Sequence, residues 1–201
     1  PSIASTGATA VDEDSLYSYS ITTSDDDTDS GDVLAITHSG ADWLTMTDAG
    51  DGTATLAGTP DNDDVGTYTV TVTVTDAALA TGTETITIVV ANTNDAPTVV
   101  TAISDASVDE DGAYSLDAST GFADVDVGDS FTYSISGAPS TLTIDVTTGV
   151  ISGTPLDVDV GDHTITVTAT DGSLASISDE YVLTVDNTND EPSIASTGAT
   201  A

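Results

Sequence analysis

Carboxylates are the residues of this sequence with the clearest capacity for chemistry. Among its 201 residues the chain holds 35 acidic side chains, 30 Asp and 5 Glu, with no Lys, no Arg and only two His. Because no basic side chain can neutralise clustered carboxylates, their repulsion must be offset by water, by salt or by bound metal ions. We favour bound metal wherever several carboxylates cluster.

The acidic clusters recur at defined places along the chain. Glu13 lies in an Asp-Glu-Asp triplet, Asp61–Asp64 precedes a long threonine-valine stretch, and Asn92–Asp95 follows an alternating apolar segment. Carboxylate, amide and carbonyl oxygens suit Ca²⁺, which takes about six to eight oxygen ligands in loose geometry. Zn²⁺ is disfavoured because the chain has no Cys and only two His.

Composition also argues against several functions. Binding to nucleic acid or to anionic lipid depends on Lys and Arg, which are absent, and no apolar run is long enough to span a bilayer. His38 and His163 do not occupy equivalent positions, and no nucleophile elbow or Ser-His-Asp arrangement is recognisable. The sequence therefore predicts a protein that is not an enzyme, does not bind nucleic acid and does not insert into membranes.

Internal repeats define the organisation of the chain. Val11–Asp14 returns as Val108–Asp111, and Gly58–Pro60 returns as Gly153–Pro155. The ten residues from Pro1 to Ala10 reappear unchanged from Pro192 to Ala201. We predict two homologous domains, 1–96 and 97–191, followed at 192–201 by the start of the next repeat, so that this chain is an internal piece of a longer array.

Each half of the chain alternates with period two. Thr67–Thr75 places Tyr and Val on one face of a strand and Thr on the other. We predict strands near residues 8–12, 16–22, 32–38, 43–47, 53–57, 67–75 and 83–91, repeated in the second half. No segment has a sustained helical period, so the prediction is an all-β chain of two tandem seven-strand Ig-like β-sandwich domains.

This fold predicts where the acidic clusters meet. With an odd number of strands, the chain enters a sandwich at one pole and leaves it at the other, so the linker Asn92–Asp95 lies at the C-terminal pole of the first domain. Asp124 and Asp126 precede the third strand of the second domain, and Asp171 ends its sixth. We expect these three side chains at the pole of the second domain that faces the linker.

Several motifs resemble a known family. The Asn-x-Asn-Asp-x-Pro linkers at 92–97 and 187–192 resemble the inter-domain linker of cadherins. Trp43-Leu44, the two Gly-Thr-Pro motifs and Gly66–Tyr68 are similar to the dystroglycan-type cadherin-like repeats of large secreted RTX-type bacterial adhesins. The acids before the sixth strand depart from the cadherin Leu-Asp-Arg-Glu motif, reading Asp-Asn-Asp-Asp and Leu-Asp-Val-Asp.

The resemblance implies Ca²⁺ sites at the junctions between domains. For the middle junction the implied ligands are Glu13, Asp64, Asn92, Asn94, Asp95, Asp124, Asp126 and Asp171. For a junction with a preceding domain they are Asp27, Asp29 and Asp76, and for a junction with a following domain Glu110, Asp159, Asn189 and Asp190. The alternative interpretation of these acids is turn chemistry and a solvated, salt-adapted surface, which we favour for Asp42, Asp48, Asp51, Asp105, Asp117 and Asp145.

The function expected from this resemblance is mechanical. Ca²⁺ would convert each hinge into a stiff joint, and the array would hold a distal binding domain away from a bacterial cell surface, outside the cell. The expected partners are neighbouring repeats of the same polypeptide, with the fragment itself monomeric. Two alternatives remain open: a glycan-binding or homophilic adhesive module of the same array, and an accessory module of a secreted enzyme.

Overall fold

The computed structural model describes residues 1–26 and 33–192 and divides into two compact units, Pro1–Asn94 and Asp95–Ala201. We call these units the first and the second domain. Across the described ranges, no helix combines the length and the apolar character that crossing a membrane requires.

The first domain is a sandwich of two four-stranded sheets. Its strands are β1 (Ser2–Ile3), β2 (Ala10–Asp12), β3 (Tyr17–Ser24), β4 (Ala35–Ser39), β5 (Thr45–Asp48), β6 (Thr53–Gly58), β7 (Gly66–Thr75) and β8 (Thr81–Ala91). One sheet has the order β1-β3-β6-β5 and the other β2-β8-β7-β4. The valines of the β7 alternation are fully buried in the core, while its threonines lie on the outer face.

The second domain repeats this plan with one interruption. Its strands are β9 (Thr98–Val99), β10 (Ala106–Asp109), β11 (Tyr114–Asp117), β12 (Phe122–Ala123), β13 (Thr132–Ser136), β14 (Leu142–Ile144), β15 (Val150–Gly153), β16 (Gly161–Thr170) and β17 (Ser176–Asp186). The sheets are β10-β17-β16-β13, β11-β15-β14 and the pair β12-β9. A 3₁₀ turn at Ser119–Gly121 divides the counterpart of β3 into β11 and β12.

The predicted all-β class with two tandem Ig-like domains is confirmed. All seven strands expected in the first half are present, with β4 beginning at Ala35, since Val33 and Leu34 are not part of a strand. The short strands β1 and β9 were not predicted. Each pairs only two residues with its neighbour, which is too few to produce a recognisable alternation.

Strand direction fixes the poles of each domain. β2 pairs in parallel with β8, and β10 pairs in parallel with β17. β2 and β8 in the first domain, like β10 and β17 in the second, therefore run in the same direction, so the chain enters each domain at one pole and leaves at the opposite one. This confirms, for each domain by itself, the polarity expected from the number of strands.

The Gly-Thr-Pro motif positions the acidic triplet at the C-terminal pole. A Cβ atom on Gly58 would lie 2.1 Å from the carbonyl oxygen of Trp43, and one on Gly153 would lie 2.1 Å from that of Thr141. Only glycine permits this approach of two backbones. Two residues later, the carbonyl oxygens of Pro60 and Pro155 accept the N–H groups of Asp14 and Asp111, both at 2.8 Å.

Candidate calcium sites at the domain poles

Glu13 is anchored at the C-terminal pole of the first domain. Its N–H donates to the carbonyl oxygen of Ala91 at 3.0 Å, and its Oε1 accepts the N–H of Thr93 at 2.5 Å. The residue is only 1% exposed, and its second oxygen, Oε2, is buried without a hydrogen-bond partner. A buried carboxylate oxygen has lost its contact with water, and without a hydrogen-bond donor this loss costs several kcal/mol.

Glu110 repeats this arrangement in the second domain. Its N–H donates to the carbonyl oxygen of Asp186 at 2.9 Å, and its Oε1 accepts the N–H of Thr188 at 2.6 Å. Glu110 is 4% exposed, and its Oε2 is again buried without a partner. At the C-terminal pole of both domains, a buried glutamate therefore binds a linker N–H through Oε1 and has an Oε2 without a partner.

The third residue of the acidic triplet shapes the turn. Asp14 has φ +56° and Asp111 has φ +59°, a left-handed conformation that Asp tolerates better than most residues because its short side chain bonds locally. The turn directs Glu13 and Glu110 inward, and it explains why an Asp follows the buried glutamate in both repeats.

Asp64 and Asp159 lie at the C-terminal pole of their own domains, each at the end of a 3₁₀ turn that precedes the long strand β7 or β16. Asp64 Oδ2 accepts the N–H of Asp61 at 3.2 Å, and its Oδ1 accepts the Tyr68 hydroxyl at 3.4 Å. Partial burial, with the nearby charge of Asp64, raises the pKa of Tyr68. The Tyr68 ring also packs edge-on against Trp43, which is partly buried against the core.

Asp159 is held more tightly than Asp64. Its Oδ2 accepts the N–H of Leu156 at 3.0 Å and the Thr141 hydroxyl at 2.8 Å. These two bonds, the backbone one first, lower the pKa of Asp159, so the carboxylate is ionised at neutral pH. His163, at the position of Tyr68, donates its Nε2–H to the carbonyl oxygen of Asp159 at 2.7 Å, so this ring nitrogen has a hydrogen-bond partner.

The N-terminal pole of the second domain carries a loop of acids. Asp124 Oδ1 accepts the N–H of Asp126 at 3.1 Å, and Asp126 Oδ2 accepts the N–H of Asp95 at 2.8 Å. Asp126 is 6% exposed. Asp126 Oδ1 and Asp124 Oδ2 are both buried without a hydrogen-bond partner. Asp124 and Asp126 therefore lie together in this loop, and Asp126 binds the backbone of Asp95.

Asp171 reaches this pole from the other side. It is 3% exposed and follows β16, where its Oδ1 accepts the N–H groups of Ser173 and Ala175 at 2.9 and 2.8 Å. Asp76 holds the equivalent turn of the first domain, accepting the N–H of Ala80 at 2.8 Å. One Asp171 oxygen lies within 4.8 Å of one oxygen each of Asp124 and Asp129.

Asp129 was not among the predicted ligands. Its side chain is exposed, yet local loss of solvation, followed by the charges of Asp124, Asp126 and Asp171, raises its pKa, as expected for a carboxylate placed among others. The signal that could have identified it was present in the sequence, because the triplet Asp124, Asp126 and Asp129 repeats the spacing of Asp27, Asp29 and Asp32.

The remaining predicted ligands are less constrained. Asn92 and Asn94 follow β8, and Asn189 and Asp190 follow β17, all with exposed side chains. Asn189 Nδ2 donates to the carbonyl oxygen of Asp190 at 3.2 Å. Asp27 and Asp29 lie outside the described residues.

Acids away from the poles serve as turn caps, as predicted. Asp51 Oδ1, for example, accepts both the N–H and the hydroxyl of Thr53 at 3.0 and 2.6 Å, and these bonds lower its pKa. Further side chains that accept backbone N–H groups in this way are those of Asp48, Asp117 and Asp145. Asp105 Oδ1 instead accepts the N–H of Val182, which lies far away in the chain. These carboxylates have hydrogen-bond donors, whereas Glu13, Glu110, Asp124 and Asp126 each have a buried oxygen without a partner.

Known structures show the same fold. The extracellular domain of protocadherin GammaB4 is similar with a TM-score of 0.63 and 20% identity, over 91% of this chain and 32% of that chain. Mouse cadherin-23 EC22-24 is similar with a TM-score of 0.52 and 20% identity, over 76% of this chain and 53% of that chain.

An endo-fucoidan hydrolase from glycoside hydrolase family 107 aligns at 26% identity over 94% of this chain, with a TM-score of 0.38. This chain spans only 29% of the length of that hydrolase.

Comparison with curated proteins finds no match. Comparison with family models finds one match, and the matched ranges follow the internal repeat described above. The model described as "Putative Ig domain" matches residues 1–91 and again residues 96–186. The chain therefore belongs to this family of Ig-like domains and contains two copies of the domain in tandem.

Proposed function

We propose that this chain is a pair of extender repeats from a long extracellular protein of the bacterial surface, and that bound Ca²⁺ stiffens the joints between its domains. An array of such joints would hold a distal binding domain away from the cell. The observation that carries the proposal is the buried, unpartnered Oε2 of Glu13, which recurs in Glu110.

The acidic side chains of this sequence have no basic side chain to neutralise them, so a bound cation would reduce their repulsion. The formal net charge is −35, and the sequence contains no Lys or Arg. Buried carboxylates are stable when they are paired or coordinate a metal, so an ion from solution is the available partner. Carboxylates with free oxygens, alongside Asn amides and linker carbonyls, form the ligand type that Ca²⁺ prefers.

The linker is the place where such an ion would act mechanically. Glu13 of the first domain accepts a hydrogen bond from the N–H of Thr93, and Asp126 of the second domain accepts one from the N–H of Asp95. Only Asn94 separates those two linker residues in the chain. Ca²⁺ that drew ligands from both sides of Asn94 would restrict the few backbone angles about which the domains can swing.

Thermal unfolding tests this proposal. We expect the melting temperature in Ca²⁺ to exceed that in chelator by several degrees, because one ion at 100 times its dissociation constant stabilises by about 2.7 kcal/mol. Equal melting temperatures in the two buffers would refute the proposal.

Glu13→Gln separates metal binding from a structural role. The amide can still accept the N–H of Thr93, but it carries no charge, so the variant should gain less from Ca²⁺ than the wild type. In chelator it should melt at or above the wild-type temperature, since an uncompensated buried charge has been removed. The matched control is Glu180→Gln. Glu180 is an exposed acid on β17 that accepts the Thr166 hydroxyl at 3.0 Å, and this variant should behave as wild type.

A further inference from the structure

We propose that the C-terminal pole of the second domain is a docking surface for the domain that follows it, a further copy of the first domain, and that apolar side chains hold this joint when Ca²⁺ is absent. The inference rests on the array in the proposed function, and it concerns apolar contacts instead of metal ligands. It makes the joint after the second domain different from the joint before it.

Apolar side chains are exposed at the C-terminal pole of the second domain. Leu156, Val158 and Val160 lie in or beside the 3₁₀ turn before β16, and they are 46%, 85% and 40% exposed. β16 begins at Gly161, which pairs with Val185 near the end of β17. The three side chains therefore lie at the pole where the chain leaves the domain.

Two of these residues distinguish the pole from its counterpart in the first domain. At the positions of Leu156 and Val158, the first domain carries Asp61 and Asp63. The second domain thus replaces two acids by two exposed apolar residues, within a sequence of 35 acidic side chains. Exposed apolar residues that lie together and are surrounded by polar ones indicate an interaction surface.

The N-terminal pole of the first domain has a complementary surface. The turn between β7 and β8 lies at this pole and contains Leu79, which is 81% exposed. Val33, just before β4, is 63% exposed and lies at the same pole, because β4 begins opposite the end of β7. A following copy of the first domain would present both side chains at the pole where its chain enters.

The backbone of Leu79 also points to an external partner. Leu79 has φ +67°, in the left-handed region where Gly, Asn and Asp are the usual residues. The equivalent Leu174 of the second domain has φ +73° and is 83% exposed. Neither the backbone nor burial within its own domain favours leucine at this position, so an apolar partner outside the domain would account for Leu79.

The internal repeat identifies the occupant of the exposed pole. Because Pro192–Ala201 repeats Pro1–Ala10 without change, a domain that starts there would be a copy of the first domain. Only residues 187–191 separate β17 from that start, and five residues span at most about 18 Å. The linker would therefore hold the N-terminal pole of the next domain close to Leu156 and Val158.

This short linker also decides between a neighbouring domain and a separate molecule. Five apolar side chains on the two poles form a contact far smaller than the roughly 800 Å² per partner of a stable protein–protein interface. Two separate chains should therefore not associate through it. A short linker raises the effective concentration of the second surface to about the millimolar range, which makes a weak contact sufficient.

Distance distributions between pairs of spin labels test the inference in a three-domain chain, residues 1–191 followed by a further copy of residues 1–96. The sequence has no Cys, so labels attach only to introduced ones. Ser152→Cys in the second domain is paired with Thr55→Cys in either the preceding or the following copy of the first domain, and both positions are exposed. In chelator, the joint after the second domain should give the narrower distribution.

Polar substitutions on each side of the joint should remove this difference. Leu156→Asn combined with Val158→Thr adds no charge and should broaden the distribution to that of the joint before the second domain. Leu79→Asn in the following copy should have the same effect without lowering the melting temperature, because Asn suits the left-handed backbone. The matched control is Val146→Thr. Val146 is 56% exposed in the turn between β14 and β15, at the opposite pole of the second domain, and its substitution should leave this joint unchanged.

The outcomes separate this inference from the proposed function. Equally broad distributions for the two joints in chelator would overturn the inference and leave the calcium proposal standing, and so would a joint that stays narrow in the doubly substituted chain. If the wild-type chain dimerises in chelator and the doubly substituted chain does not, the occupant is a second molecule and the inference is wrong. If Ca²⁺ does not narrow the joint before the second domain, the proposed function fails, while a narrow joint after that domain in chelator still supports apolar docking.

Discussion

At the scale of single residues, the acids that the structure describes include some whose carboxylate oxygens accept hydrogen bonds and others with a buried oxygen that has no partner. The repeat and the cadherin resemblance were enough to select Glu13 and Glu110 from the sequence. Their burial and their unpartnered Oε2 atoms could not be predicted, because both depend on a linker N–H that comes about 80 residues later in the chain. The cadherin resemblance did not include Asp129, although the repeated spacing of Asp124, Asp126 and Asp129 contains it.

Tyr19 provides a residue-scale prediction about alkaline pH. Its hydroxyl donates to Glu84 Oε2 at 2.6 Å, and burial together with this bond raises its pKa from 10.0 to about 12. The folded state therefore keeps the phenolic proton to higher pH than the unfolded chain does. Its contribution to the free energy of unfolding is complete below about pH 10 and is lost as the pH rises through about 12.

Tyr19→Phe should remove this contribution. We expect the variant to be less stable at neutral pH by about 1 to 3 kcal/mol, because Glu84 loses a hydrogen-bond donor. Its stability should fall less steeply than that of wild type between pH 10 and 12. Denaturant unfolding across this pH range measures both effects, and parallel curves for the two proteins would show that Tyr19 does not titrate as described.

At the scale of strands and turns, alternation in the sequence was a strong guide. It placed the long strands β7, β8, β16 and β17 because buried apolar residues alternate with more exposed, mostly polar ones at the period of a strand over many residues. It could not show that a turn at Ser119–Gly121 interrupts a strand of the second domain. That turn depends on Asp117, whose Oδ1 accepts both the N–H and the hydroxyl of Ser119, and similar short polar segments occur throughout the chain.

Gly153→Ala tests the element that positions the acidic triplet. Gly153 has φ +155°, and its added Cβ would meet the carbonyl oxygen of Thr141 at 2.1 Å. We expect a loss of at least about 2 kcal/mol in the free energy of unfolding, since backbone must move to relieve the clash.

Gly172→Ala is the matched control for that substitution. No atom lies within 4 Å of the position a Cβ would take there, so the change should stay within about 0.5 kcal/mol. Measurements in chelator keep cation binding out of the comparison. Equal effects of the two substitutions would show that Gly153 is not held by close backbone approach.

For the whole molecule, the repeat followed from the sequence and the charge from its composition. Two Ig-like domains in tandem followed from the recurrence of the acidic triplet, the Gly-Thr-Pro motif and the linker, and the family match agrees with them. A chain with 35 acidic side chains and no basic ones also made a cation the expected partner.

Small-angle scattering of the chain in Ca²⁺ and in chelator tests the central claim most directly, with Mg²⁺ at equal ionic strength as the control for screening. If Ca²⁺ fixes the linker, the scattering in Ca²⁺ will fit one rigid conformation. In chelator and in Mg²⁺ it will require an ensemble with a broader distribution of distances. Scattering profiles that are identical in all three buffers would contradict the account.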